Sequence, residues 1–149
     1  MGQSSGDSGS WRSGEPSLME TSLTLDSDGS RIAHARRLAS DFLIEVREAH
    51  SVPVLTATVE IAQLIVSELA TNARKYAPGP AVLHLRIIGG MLEIELRDSS
   101  PVLPASKAPN PERVGQHGLE IVTSLARRVT IEATPLGKRV IAVIALGES

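Results

Sequence analysis

Three groups of residues in this sequence have the chemistry that binding of a metal ion and a nucleotide requires. The first consists of Glu68, Asn72 and Lys75, which place a carboxylate, an amide and an ammonium one turn apart on a predicted helix. The Asn72 side-chain oxygen is a ligand type that Mg²⁺ accepts. Glu68 has the chemistry of a general base toward a hydroxyl or a water, and Lys75 can neutralise phosphate charge. The alternative is an ordinary helix flank with an intrahelical Glu–Lys contact.

This triplet lies on the second predicted helix, which begins at Pro53 and ends before Pro78-Gly79-Pro80. Its apolar stripe is Leu55, Val59, Ala62, Val66, Leu69 and Ala73. Its polar face is Glu60, Gln63, Ser67, Thr71 and Arg74. At about 100° per residue, the triplet falls on neither of these faces. It continues the line of Ile61 and Ile65, so we expect its side chains on the flank that borders the core.

The second group is Asp98, the last residue of a predicted strand that begins at Met91. Leu92, Ile94 and Leu96 share one face of this strand, and Asp98 falls on the same face. A carboxylate on the core side needs a donor, because an unpaired buried charge is costly. An adenine amino group is one candidate donor. Alternatively, the strand has already ended and Asp98 caps a turn.

The third group is Gly115 and Gly118, which precede a predicted third helix, Leu119 to Arg128. Glycine lets the backbone approach a phosphate closely, and a helix N-terminus supplies free N–H groups and a positive dipole. His117 can either reach a phosphate or remain an exposed loop histidine. Periodicity assigns Leu119, with Val122 and Leu125, to the core.

The other predicted elements complete an α/β fold of two layers, with one mostly antiparallel sheet and helices on one face. A first helix runs from a cap at Asp28-Gly29-Ser30 to about Ala49, and Ser99 to Gln116 form a long surface loop. Gly89-Gly90 and the turn Pro135-Leu136-Gly137-Lys138 each join two strands. The predicted strands are Leu18–Leu25 at an edge, Ala81–Ile88, Met91–Asp98, Val129–Thr134 and Arg139–Leu146. Residues 1–17, rich in Gly and Ser, are predicted to be a disordered tail.

Composition excludes several classes of function. Without cysteine there are no disulfides and no thiolate metal sites. Only three aromatic residues and a net charge of −2 argue against direct nucleic-acid binding. No apolar run reaches the length of a membrane span. We therefore expect a cytoplasmic protein that contacts neither nucleic acid nor membrane.

In these motifs the sequence resembles the ATP-binding domain shared by gyrase, Hsp90, sensor histidine kinases and MutL, which is called the GHKL or Bergerat type. Residues 68–73 look like the N box, residues 98–104 like the G1 box and residues 115–119 like the G2 box of that family. Ser100 and Val102 stand where the full G1 box carries glycines. The resemblance covers residues 18–146 and is strongest to anti-sigma-factor serine/threonine kinases and related small actinobacterial regulators.

The resemblance implies that one domain, residues 18–147, binds Mg²⁺ and ATP. Asn72 would hold the metal, Glu68 would be the catalytic base, Lys75 would contact phosphate, and Asp98 would accept from the adenine amino group. A lid would extend over residues 99–117. The G2 box would add Gly115, His117, Gly118 and Leu119 to the nucleotide-binding residues.

The implied activity is phosphorylation or sequestration of a protein partner in transcriptional regulation. The partner would be a sigma factor or an anti-sigma antagonist, and a homodimer is compatible with the weakly covered strands and first helix. One alternative is a non-catalytic interaction module that uses ATP only as a conformational ligand or has lost it. Another is a structural α/β domain in which the three motifs are fortuitous.

Overall fold

The structure is a computed structural model that describes residues 19–25, 31–76, 79–98, 114–135 and 137–147. For residues 76 and 114–118 it describes the backbone only. The predicted tail, the predicted cap of the first helix at residues 28–30 and most of the predicted lid lie outside the described residues. The elements are β1 (Met19–Leu25), α1 (Arg31–Ala49), α2 (Thr56–Tyr76), β2 (Ala81–Ile88), β3 (Met91–Asp98), α3 (Val114–Leu125), β4 (Arg128–Thr134) and β5 (Gly137–Ala145).

The five strands form one sheet in the order β1-β2-β3-β5-β4, and every neighbouring pair is antiparallel. The predicted α/β fold is therefore confirmed, and β1 lies at an edge as predicted. The β2–β3 hairpin turns at Gly89-Gly90, where Gly89 has a φ of 59°. A side chain at that φ would be strained, which explains why glycine is suited to this turn.

One face of the sheet forms the core with the helices. Side chains alternate along the strands, so the inward residues of neighbouring strands lie side by side in register. One such row joins Leu83, Leu96 and Val140, and the next joins Leu85, Ile94 and Ala142. All six are at most 3% exposed. The helices cover this face with buried residues that include Ala35, Ala39, Leu43, Val46, Ala62, Ile65, Val66, Leu69, Ala73 and Val122.

The first turn of α2 is attached to the end of β5 by hydrogen bonds. The Thr58 hydroxyl donates to the Leu146 carbonyl at 2.8 Å, in a buried position. The Leu55 N–H donates to the same carbonyl at 3.1 Å. These bonds fix where α2 begins relative to the strand that it covers.

The same bonds explain why α2 begins later than the sequence predicts. The Leu55 carbonyl accepts from Thr58 and Val59 and so precedes the first helical turn. Leu55 is consequently 46% exposed, although the apolar stripe had placed it in the core. Val54 is buried instead, at 7% exposure. At the other end α2 stops at Tyr76, before Pro78 as predicted.

The outer face of the sheet carries ion pairs between neighbouring strands. His84 Nε2 lies 2.6 Å from Glu20, and Arg86 lies 2.6 Å from Glu93. Arg139 pairs with both Glu132 and Glu95. Residues 140–146 are apolar on both faces, which predicts a strand that is either central and covered on both faces or at a partner interface. The structure places this strand, β5, between β3 and β4.

The apolar outer residue Val143 lies in this charged surface. It is in register between Glu93 and Arg128 and is 7% exposed. Long charged side chains cover apolar neighbours with their aliphatic stems while the charge stays in water. The burial of Val143 therefore needs no covering helix.

We predict that Thr58→Val lowers the free energy of unfolding by about 1 kcal/mol, because the buried hydroxyl bond to Leu146 is lost while the side-chain shape is kept. A urea titration should show a lower midpoint with an unchanged slope. Thr123→Val, at an exposed position of α3, is the matched control and should leave the midpoint nearly unchanged. Equal midpoints for both variants would contradict this role of Thr58.

Candidate functional site

The end of α2 and the end of β3 lie on the same side of the domain. From Thr58 to its last residue, Tyr76, α2 extends about 27 Å. From Leu146 back to Lys138, the chain of β5 covers a similar length. Because α2 starts at Leu146 and packs against β3 and β5, its last turns lie toward Lys138. Asp98 is paired directly with Lys138, so the end of β3 lies there too.

The third helix also points to this side. The Arg127 N–H, just after α3, donates to the Val143 carbonyl at 2.8 Å. The C-terminal end of α3 is therefore near the end of β5 where α2 begins. Since α3 packs against α2, the two helices run antiparallel, and α3 extends about 18 Å back from Val143. Its N-terminus therefore faces the side of the domain that holds the end of α2.

The triplet on α2 has the graded exposure that its position on the flank predicts. Asn72 is buried at 5% exposure, Glu68 is half-buried and Lys75 is exposed. Within the described residues, no ion pair joins Glu68 to Lys75, and the Asn72 amide makes no hydrogen bond. The intrahelical Glu–Lys contact that was the alternative explanation for this triplet is therefore absent from that part of the chain.

Asp98 is buried on the core face, as strand parity predicts, and its charge has a partner. Asp98 is 7% exposed as a residue, and its side chain is 2% exposed. The Lys138 ammonium lies 3.5 Å from Asp98 Oδ2, and the Lys138 side chain is also 2% exposed. The alternative that Asp98 is a turn cap beyond the strand is wrong, because Asp98 is the last paired residue of β3.

Lys138 is the residue at this site that the sequence analysis missed. It was assigned to a turn, Pro135 to Lys138, where a lysine would be exposed. The structure instead pairs Thr134 with Gly137, and the Thr134 hydroxyl accepts from the Gly137 N–H at 2.9 Å. The strand therefore starts two residues earlier than predicted. A signal was present, because extending the alternation of Val140, Ala142 and Ile144 backward places Lys138 on the inner face.

The glycine motif lies within α3 rather than before it. The helix runs from Val114 to Leu125, whereas the sequence predicts it from Leu119 to Arg128. Gly115, His117 and Gly118 therefore belong to its first turns, and residues 114–117 of the predicted lid are helical. Packing of the apolar side of α3 outweighs the low helix propensity of two glycines.

The apolar residues of α3 pack as their periodicity predicts. Val122 is fully buried, and Leu119 and Leu125 pack partly buried against the core. The remainder of the predicted lid, residues 99–113, lies outside the described residues. So do Ser100 and Val102 of the predicted G1 box.

The two adjacent cations of β5, Lys138 and Arg139, lie in different surroundings. Lys138 faces the core, while the adjacent Arg139 faces outward, where its hydrogen bond to Glu132 raises the pKa of the guanidinium.

The described residues contain no group of three or more His, Asp or Glu side chains that could hold a metal ion. They also contain no helix long and apolar enough to cross a bilayer.

The side chains on α2 fit a magnesium–nucleotide ligand better than the carboxylate at the end of β3 does. On α2, the amide of the buried residue Asn72 lies one helical turn from the half-buried carboxylate of Glu68. These are oxygen donors of the type that a hard cation takes. Asp98 supplies a carboxylate of the type that accepts from a base amino group, but its side chain is 2% exposed and an ammonium already lies beside it.

Comparison with known proteins identifies the fold. No protein-family profile and no curated protein matches the sequence. The RsbU and RsbW domains of Rv1364c from Mycobacterium tuberculosis are similar in structure, with a TM-score of 0.63 and 16% identity over 85% of this chain. This chain spans 32% of that one. A second similar structure is the histidine kinase domain of the Erythrobacter litoralis EL346 blue-light activated kinase, with a TM-score of 0.47, 20% identity and coverage of 75% and 61% of the two chains. The likeness to the Mycobacterium tuberculosis structure agrees with the predicted two-layer α/β fold, and at 16% identity it shows the fold alone.

We predict that Lys138→Met lowers the free energy of unfolding by about 3–5 kcal/mol, because it leaves the Asp98 carboxylate buried without its ammonium. The double variant Asp98→Asn/Lys138→Met should recover part of this loss, since the buried charge is removed too. Arg86→Met, which breaks the shorter but partly exposed pair with Glu93, should cost less than about 1 kcal/mol. Urea denaturation of the four proteins measures these differences, and a Lys138→Met loss no larger than that of Arg86→Met would contradict the assignment.

Proposed function

We propose that this chain is a GHKL-type ATP-binding regulator that phosphorylates or sequesters a protein partner. The observation that carries the proposal is the buried Asn72 amide beside Glu68 on the inner flank of α2. An amide oxygen is a ligand type that a hard cation accepts, and Asn72 carries it one helical turn from the Glu68 carboxylate. Magnesium held with ATP is the ligand that the fold and the residue types favour.

The roles follow from chemistry and position. Asn72 Oδ1 would be a magnesium ligand, and Lys75, exposed one turn further along α2, would neutralise phosphate charge. Glu68 would take the proton of a serine or threonine hydroxyl as that oxygen bonds to the γ-phosphorus and the bond to the leaving ADP oxygen breaks. The α3 N-terminus, with Gly115 and Gly118, would face the phosphates. His117 would add a donor there, and Leu119 would support this turn from the core.

The proposed partner is a sigma factor or an anti-sigma antagonist, and the proposed setting is the cytoplasm. Support comes from the resemblance of the three motifs to anti-sigma-factor kinases. If the chain forms a homodimer, we propose that the outer face of the sheet is the contact surface. That face carries paired charges rather than a continuous apolar patch, so a partner there would need complementary charge.

A second candidate is an interaction module that binds ATP weakly or no longer binds it. The Lys138–Asp98 pair favours it, because the carboxylate assigned to adenine already has a charged partner. The two candidates share a fold and differ in nucleotide affinity and in phosphoryl transfer.

We predict that Mg-ATP raises the melting temperature of the chain, because a ligand that binds only the native state stabilises it. At a ligand concentration of about 100 times Kd the stabilisation is about 2.7 kcal/mol, which corresponds to several degrees for a domain of this size. Asn72→Ala should reduce the magnesium-dependent part of the shift. Thr71→Ala, on the polar face of the same turn, is the matched control. No shift of the wild type at millimolar Mg-ATP would contradict the proposed regulator and favour the second candidate.

We predict that Glu68→Gln strongly slows phosphoryl transfer but leaves ATP binding intact, because an amide cannot accept the proton. Loss of general-base catalysis should slow transfer by about 10²–10⁴-fold. The measurement is label transfer from Mg-ATP to candidate antagonist proteins that contain serine or threonine. Glu60→Gln, exposed on the same helix, should transfer at the wild-type rate. Transfer that Glu68→Gln does not slow would rule out Glu68 as the base, whereas ATP binding without transfer would favour the module.

A further inference from the structure

We propose that Lys138 controls nucleotide affinity by occupying the carboxylate to which the base would bind, so that a side chain of this chain closes its own base site. The inference rests on the proposed function, because it concerns the same site and the same ligand. It adds a residue that lies outside all three sequence motifs.

The first observation is that the pair is enclosed. The Lys138 ammonium lies 3.5 Å from Asp98 Oδ2, and each side chain is only 2% exposed. Solvent therefore hardly reaches the carboxylate, and neither does an incoming amino group. Oδ2 is the oxygen that faces Lys138, so a base amino group reaches Oδ2 only when this contact opens.

The second observation is that the strand register imposes the pairing. Asp98 and Lys138 are directly opposite on β3 and β5, in the row that precedes Leu96 and Val140 on the inner face. Cross-strand partners on one face have their Cβ atoms within about 5.5 Å. The ammonium is thus held beside the carboxylate by the backbone and not by one chance rotamer.

The Lys138 ammonium and the amino group of adenine compete as donors to Asp98 Oδ2. The Lys138 ammonium carries a full positive charge, whereas the amino group of adenine carries a partial one. In a buried, weakly screened position the full charge is the stronger partner. The base therefore binds only to the fraction of molecules in which Lys138 has withdrawn, and the apparent affinity falls by that fraction. The flexible four-carbon stem of lysine makes such withdrawal feasible.

The test is isothermal titration calorimetry of Mg-ATP into the full chain and four variants. Lys138→Met keeps the length of the stem and removes the charge, and it should lower Kd about tenfold, a change of about 1.4 kcal/mol. Lys138→Gln removes the charge but keeps a neutral donor to Asp98, and it should also tighten binding if Lys138→Met does not fold. Lys138→Arg keeps the charge, and Arg139→Met removes the adjacent outward charge; both should keep the wild-type Kd. Circular dichroism establishes that each variant is folded.

The outcomes separate this inference from the proposed function. Tighter binding by the neutral Lys138 variants, with Arg139→Met unchanged, supports the inference even if the wild type binds too weakly to measure. If the wild type binds and the neutral variants bind equally or more weakly, the inference is overturned and the proposed function stands. If no folded protein of the series binds millimolar Mg-ATP, both are overturned.

Discussion

The register of the antiparallel sheet is the constraint on which the rest of this structure depends. Only one face is covered by the three helices, so a shift of one residue in any strand would exchange its core and solvent faces. The Gly89-Gly90 turn fixes the pairing of β2 with β3, and the bonds from Leu55 and Thr58 to Leu146 fix α2 on β5. Those contacts lie at the end of the sheet opposite the candidate site. The site is thus positioned by anchors about 27 Å away, the length of the helix between them.

The elements with strong periodicity were predictable from the sequence. The hairpin of β2 and β3 was predicted to the residue, because strict alternation and a Gly-Gly turn act together. The inward direction of Asp98 follows from the two-residue period of a strand. The position of Asn72 on the helix flank follows from the 3.6-residue period of a helix. The predictions that depend on a single turn residue were less accurate. Leu55 and the start of α3 were misplaced because hydrogen bonding and packing, rather than local pattern, determine where those helices begin.

Lys138 shows why the second half of the Asp98 pair could not be read from local signals. Proline and glycine at positions 135 and 137 indicate a turn, and a lysine beside them conforms to the usual composition of surface turns. Only the pairing of Thr134 with Gly137 moves Lys138 into the strand. The need for a donor at Asp98 was evident from strand parity, but its identity depends on contacts between residues 40 positions apart in the chain.

The two faces of β5 place nearly equivalent cations in very different surroundings. Outward-facing Arg139 remains in water and shares its charge between Glu132 and Glu95. Inward-facing Lys138 has lost its water, so its energy depends on the Asp98 carboxylate opposite, its ion-pair partner within the described part of the chain. A packed apolar pair at these positions would avoid the desolvation cost that this ion pair incurs. Stability alone therefore gives no reason for the pair, whereas an arrangement that must open before a base binds makes use of that cost.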